Sequence, residues 1–327
     1  MIKTSKSQKS IIRKPAKNRW SKGLYKKMII DQRKFMWEPE YVALIAKWVG
    51  FKPGQTVVDV GCGLGYLGTL YWPHFGKNGK YCGVDVSPKL VAQAKKLSHN
   101  WAKSGETEFK IGDAYKLPYP DKFADVVMCQ TLLMHLADPQ KAVNEMYRIL
   151  KPGGTVLCKE PDNLSWSLQH ALTSLPELPV EDEMFFRKID FIYTQGRANL
   201  GQGYFNAAPR VPLWLKAAGF SQIDAKIASQ ASLGVPPYET PRQKHEIAER
   251  KESIRSSKEP SYKKQANEHF RKTFFAGGGT QSDYDKYLKL RKKNRPRKKL
   301  YEQQIKNGSY YWFNARQLFA IKGNKPR

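Results

Sequence analysis

Between Thr56 and Glu160 the apolar residues fall into short blocks of two alternating kinds. "TVVDV", "KYCGVDVS", "TEFKIGDA", "FADVVMCQ" and "TVLCKE" are compact runs rich in β-branched and aromatic side chains, the pattern of strands buried on both faces. Helical spacing separates them. In "DPQKAVNEMYRIL" the positions Ala142, Val143, Met146, Tyr147 and Leu150 share one side, with Asp138 as cap and Pro139 at the first helical position. Ser87-Pro88 opens a second helix in the same way, and "KPGG" turns the chain into the fifth strand. Upstream, "EPEYVALIAKWV" sets Tyr41, Leu44, Ile45 and Trp48 on one face of a helix that "KPG" ends. Strand and helix thus alternate five times. This predicts an α/β chain with a doubly wound, mainly parallel sheet covered on both faces.

Beyond Glu160 the order loosens. Residues 161–210 are aromatic and interrupted by proline, after which "PRVPLWLKAAGF" predicts a helix stopped by Gly219 and "SQIDAKI" a sixth strand. Residues 238–305 are lysine-rich and helical in pattern, broken at "FAGGGT" and at Pro296, and "NARQLFAIKG" then alternates like a seventh strand. The expected organisation is a basic N-terminal segment (1–35), a core (36–237), a basic helical insertion (238–305) and a final core strand with its tail (306–327). Such an insertion leaves the sheet at its carboxyl end, where it would form a lid with "AGGG" as hinge.

Composition changes this picture mainly through charge. The 327 residues are 40 % hydrophobic, enough for a sizeable core, and carry a net charge of +28. Residues 1–35 contribute +11, residues 238–305 contribute +10 and residues 306–327 contribute +5, which leaves +2 for the long centre. No apolar run is long enough to span a membrane, and the start lacks the apolar stretch of a secretory signal, so a cytoplasmic protein is expected. A basic targeting segment is the alternative, since no acid precedes Asp31. Cys62, Cys82, Cys129 and Cys158 stand singly in or beside predicted strands, with no metal-ligand spacing, and read as small buried side chains. No metal is expected.

The candidate chemistry lies at strand ends. "VVDVGCGLGYLG" runs a strand into four glycines, and backbone without side chains can pass close to a ligand there. Asp85 closes the second strand, placed to accept hydrogen bonds from a ribose, and "GDA" closes the third, offering Asp113 and the Ala114 N–H to a purine edge. With Asp59 in the first strand and "QTLLMHLADPQKAVNEMYRILKPGGTVL" after them, the chain resembles the class I S-adenosylmethionine-dependent methyltransferases of the ubiquinone/menaquinone type. The resemblance covers roughly residues 36–160 and extends weakly through "VPLWLKAAGF".

That resemblance implies S-adenosylmethionine as cofactor and a Rossmann-like methyltransferase fold. Gly61, Gly63 and Gly65, with Cys62 among them, would line its methionine part, and Asp59 would hold the loop. Asp85 and Val86 would meet the ribose, Asp113 and Ala114 the adenine, and Gln130 the amino group through its backbone. Tyr25 and Trp37 belong to a leading segment that closes over the cofactor in similar enzymes. A sulfonium is already a strong electrophile, so the protein need only align a nucleophile and, in some cases, take a proton. His135, in the loop after the fourth strand, is the candidate base, with Tyr204 and His170 behind it. The expected activity is methyl transfer to a small-molecule acceptor. The alternative is an RNA- or ribosome-directed methyltransferase whose basic segments, 1–35 and 238–305, bind phosphate.

Overall fold

Local capping sets where the helices start. Ser87 Oγ accepts the Leu90 N–H at 3.4 Å and Asp138 Oδ1 accepts that of Lys141 at 3.3 Å, so α3 (Pro88–Ser98) and α4 (Pro139–Ile149) begin at the predicted caps. The computed structural model describes residues 37–168 and 171–327. Its first elements are α1 (Pro39–Val49), β1 (Thr56–Val60), α2 (Tyr66–Phe75), β2 (Gly79–Asp85), β3 (Gly105–Ile111), β4 (Ala124–Gln130) and β5 (Leu150–Pro161). In α1 the buried side is Val42, Ile45, Ala46 and Val49, and Leu44 faces solvent. Of the expected face, Ile45 is buried and Tyr41 and Trp48 pack half-buried on the same core, so only Leu44 departs from it; Phe51, stacked on Tyr71 and Phe75, packs beside them. No helix joins β3 to β4. That connection is a turn closed by an Asp113–Lys116 bridge, so the fivefold alternation is broken there.

The strand order is β3-β2-β1-β4-β5-β8, with β7 (Ser221–Gly234) on the far side of β8 (Trp312–Asn324). Strands β1 to β5 are parallel and β8 is antiparallel to its neighbours, giving the expected seven-stranded, mainly parallel sheet. A two-residue strand, β6 (Leu172–Thr173), adds to the start of β8. One face is covered by α1 and α2, packed on Val57, Met128 and Leu157; the other by α4 and α7 (Val211–Ala217), packed on Val58, Val127 and Val156. All four cysteines are buried and none of them forms a disulfide.

Strands β7 and β8 pair along their whole length, from Ser221↔Asn324 to Gly234↔Trp312, whereas β5 stops at Pro161↔Leu318. A ribbon of six β8 residues therefore projects past the carboxyl edge, roughly 20 Å at the usual rise per residue. Four helices connect its tips: α8 (Pro241–Ser256), α9 (Pro260–Ala276), α10 (Gln281–Lys293) and α11 (Arg295–Asn307). Helices α8 and α11 pack on Tyr238, Tyr310 and Trp312 at the ribbon, whereas α9 and α10 pack on α6 (Val180–Asn199), a helix that the proline-interrupted sequence of 161–210 concealed. Short α5 (Asn163–Leu168) precedes it. Phe185 and Ile189 of α6 meet Phe274 and Leu290 in a separate apolar core. The "AGGG" stretch is the tightest point of that packing. A Cβ on Gly277 would lie 1.9 Å from the Ile192 carbonyl oxygen, and one on Gly196 1.8 Å from that of Thr273. These glycines let two helix backbones touch; they are no free hinge. Among the described residues no helix is long and apolar enough to cross a membrane.

Candidate functional site

The turn after β1 is built on carbonyl and carboxylate acceptors from β2. Gly61 N–H and Cys62 N–H both reach the Val84 carbonyl, at 2.7 and 2.9 Å, and Gly63 N–H reaches Asp85 Oδ2 at 3.0 Å. The other oxygen of Asp85 takes the Ser87 N–H at 2.9 Å. Gly61, Gly63 and Gly65 all have positive φ, which lets three successive bends fit in five residues. Gly68 has a different reason: a Cβ there would sit 2.8 Å from the Tyr81 ring, so this glycine serves core packing, not ligand approach. Asp85, at the carboxyl end of β2, thus has its carboxylate oriented by two N–H groups, and each oxygen keeps a second lone pair that could accept from a diol. Val86 follows it, half-buried. Behind the turn, buried Asp59 accepts from Tyr81 Oη at 2.7 Å, and the Cys62 side chain points into the core.

The remaining expected residues line the same edge. Asp113 is exposed after β3, its Oδ1 accepting the Tyr115 N–H at 3.0 Å, and Ala114 beside it packs on the core. Gln130 ends β4, buried. Trp37 precedes α1 and lies stacked on Tyr41. Tyr25 and His170 lie outside the described residues.

His135 ends a 3-10 turn, Leu133–His135, immediately after β4. The turn is held by one side chain: Glu160, fully buried at the end of β5, accepts the N–H groups of Leu132 and Leu133 at 2.9 Å and of Met134 at 3.3 Å. Burial pushes the Glu160 carboxyl up to about 7, against the pull of those three donors. The chain at Gly203 crosses against this turn so closely that a Cβ would lie 2.2 Å from the Met134 carbonyl oxygen. Tyr204 is thus brought near His135, yet its ring is packed edge-on against Trp214 and under the Arg210 guanidinium.

A glycine turn, an acid oriented by two N–H groups and a histidine turn thus stand along one sheet edge. Residues 58–158 match the methyltransferase domain family. They are a methyltransferase domain. Over 119 residues the chain is 39 % identical to an uncharacterized methyltransferase of Schizosaccharomyces pombe, covering 35 % of this chain and 42 % of that one. It is 32 % identical over 124 residues to the demethylmenaquinone methyltransferase of Symbiobacterium thermophilum, covering 38 % and 48 %. With the Escherichia coli ubiquinone/menaquinone biosynthesis C-methyltransferase it shares 32 % over 111 residues, covering 34 % and 44 %. The chain spans less than half the length of these relatives. In sequence the domain is similar to methyltransferases of the ubiquinone/menaquinone type, and its strand order gives the mainly parallel sheet that this resemblance implies.

Two side chains of the methyltransferase domain's edge escaped the sequence reading. Lys159 and Glu160 stand side by side at the end of apolar β5 and, by strand alternation, point to opposite faces. Glu160 holds the histidine turn. Lys159 is fully buried on the α1–α2 face, donates to Tyr71 Oη at 2.5 Å and lies 3.5 Å from the centre of the Trp37 ring. The signal was present: two charges closing a strand otherwise apolar.

Proposed function

We propose that the chain is an S-adenosylmethionine-dependent methyltransferase with a small-molecule acceptor. The observation that carries this reading is Asp85, oriented by Gly63 and Ser87 N–H groups beside a positive-φ turn in a methyltransferase domain. Asp85 and Val86 would take the ribose, Asp113 and Ala114 the adenine edge, and the turn from Gly61 to Gly65 the chain between sulfur and carboxylate. Asp59 and Cys62 support that turn from behind. The cofactor supplies a sulfonium-bound methyl group, so no strong nucleophile is needed in the protein. His135, on a turn fixed by Glu160, would take the acceptor's proton as its nucleophilic atom is aligned with the methyl group. Tyr204, anchored on Trp214, would shape the wall beside it. The helical unit beyond the carboxyl edge would enclose the acceptor and exclude water, and the relatives named for quinone biosynthesis act on small molecules, which favours an enclosed site over a nucleic-acid surface.

Titration calorimetry tests the reading. S-adenosylhomocysteine should bind, and a nicotinamide dinucleotide should give no heat. The opposite result removes the proposal. Acceptor affinity that collapses between 50 and 200 mM salt, on the order of 10³-fold for six phosphate contacts, would transfer the acceptor to RNA.

A further inference from the structure

Lys159 is a cation without an anion. Its Nζ lies wholly inside the protein, and among the described residues Tyr71 Oη is its hydrogen-bond partner and no carboxylate stands within ion-pair distance. Burial drives its pKa well down. A lone buried ammonium costs several kcal/mol, and the faces of Trp37 and Tyr71, 3.5 and 4.8 Å from Nζ, offset only part of that.

The groups around it share one chemical character. Trp37 Nε1 and Tyr41 Oη are buried with no hydrogen-bond partner, and Trp37 is stacked on Tyr41. Indole N–H, phenol O–H and ammonium can all donate, and among the described residues only the ammonium has an acceptor, Tyr71 Oη. Such a set complements an anion with free lone pairs.

Its position says which anion. Lys159 pairs in register with Gln130 of β4, and β4 is flanked on its other side by β1, whose turn carries the glycines. On the cofactor reading, Asp85 of β2 would hold the ribose end of the ligand on the far side of that turn. The other end of the same ligand must run from β2 across β1 toward β4 and β5. We propose that Lys159, with the Trp37 and Tyr41 donors, is the receptor for the carboxylate of the cofactor's amino-acid end, and that Trp37 covers the ammonium until that carboxylate replaces the indole face. This assignment rests on the cofactor reading above.

The test compares S-adenosylhomocysteine with its descarboxylated analogue, S-adenosyl-3-thiopropylamine, by calorimetry on the full chain. The wild type should prefer the carboxylate ligand by about ten-fold or more, the scale of a hydrogen bond to a charged group. Lys159→Met should abolish that preference and leave the analogue's affinity unchanged. Should the single variant not fold, Lys159→Met/Tyr71→Phe, which leaves neither polar partner orphaned, carries the same expectation. A preference that persists in the variant, or an equal loss for both ligands, overturns the assignment and makes Lys159 a packing residue. A wild type that binds neither ligand overturns the cofactor reading, and this assignment with it.

Discussion

Replacing Glu160 with glutamine separates its charge from its shape. In the wild type the two carboxylate oxygens accept three backbone N–H groups, at 2.9, 2.9 and 3.3 Å. The amide oxygen can keep two of them, but its NH2 then faces the Met134 N–H, donor against donor, at a cost of about 1–3 kcal/mol. The pH dependence is more informative. Burial raises the folded pKa from 4.5 to about 7, so the folded state holds a proton where the unfolded chain has lost it. A raised folded pKa means stability that is fully present below pH 4.5 and lost as pH rises through 7. The loss amounts to about 3 kcal/mol, from 1.36 kcal/mol per pH unit. Glu160→Gln lacks it. The stability of the wild type minus that of the variant should therefore fall by about that amount between pH 4.5 and 7.5, and the difference cancels every other titrating group. Urea denaturation followed by circular dichroism at several pH values measures it. A difference independent of pH would mean that the three donors outweigh burial and that Glu160 ionises at its ordinary value.

Three further outcomes are expected. Asp85→Ala should weaken S-adenosylhomocysteine binding by roughly 1.5–3 kcal/mol in calorimetry, since a charge-assisted hydrogen bond to the ribose is lost; unchanged affinity would remove Asp85 from the site. His135→Ala should lower kcat by about 10²-fold with cofactor affinity preserved, and a fall in melting temperature alone would reduce His135 to packing. Gly196→Ala must push α6 from α9, because its Cβ would meet the Thr273 carbonyl at 1.8 Å; limited proteolysis should then cut 238–305 faster while S-adenosylhomocysteine binding persists, and an unaltered digestion pattern would contradict the close crossing.

Much of the fold was legible because its signals are local. Caps at Ser87 and Asp138, alternating strand and helix blocks and the glycine turn each depend on residues within a few positions of one another, so the sheet, Asp85 and the class I methyltransferase pattern could be read along the chain. Helix α6 could not. Its 20 residues carry a weak apolar stripe, and the partner that makes them helical, the aromatic side of α9 and α10, lies some 80 to 100 positions away. The "AGGG" run misled for the same reason: glycine signals freedom until the backbone pressed against it is known.

The sequence alone determined which residues stand along the sheet edge: a positive-φ glycine turn after the first strand, an acid closing the second and a histidine after the fourth. Only the tertiary structure decided what the two charges of "CKEP" do. Lys159 meets Tyr71, 88 positions earlier, and Trp37 beyond it; Glu160 meets a turn 26 to 28 positions back. Two charges closing an apolar strand mark the place, but whether each is solvated or buried depends on which helices close over each face of the sheet, and that is a property of the packed chain.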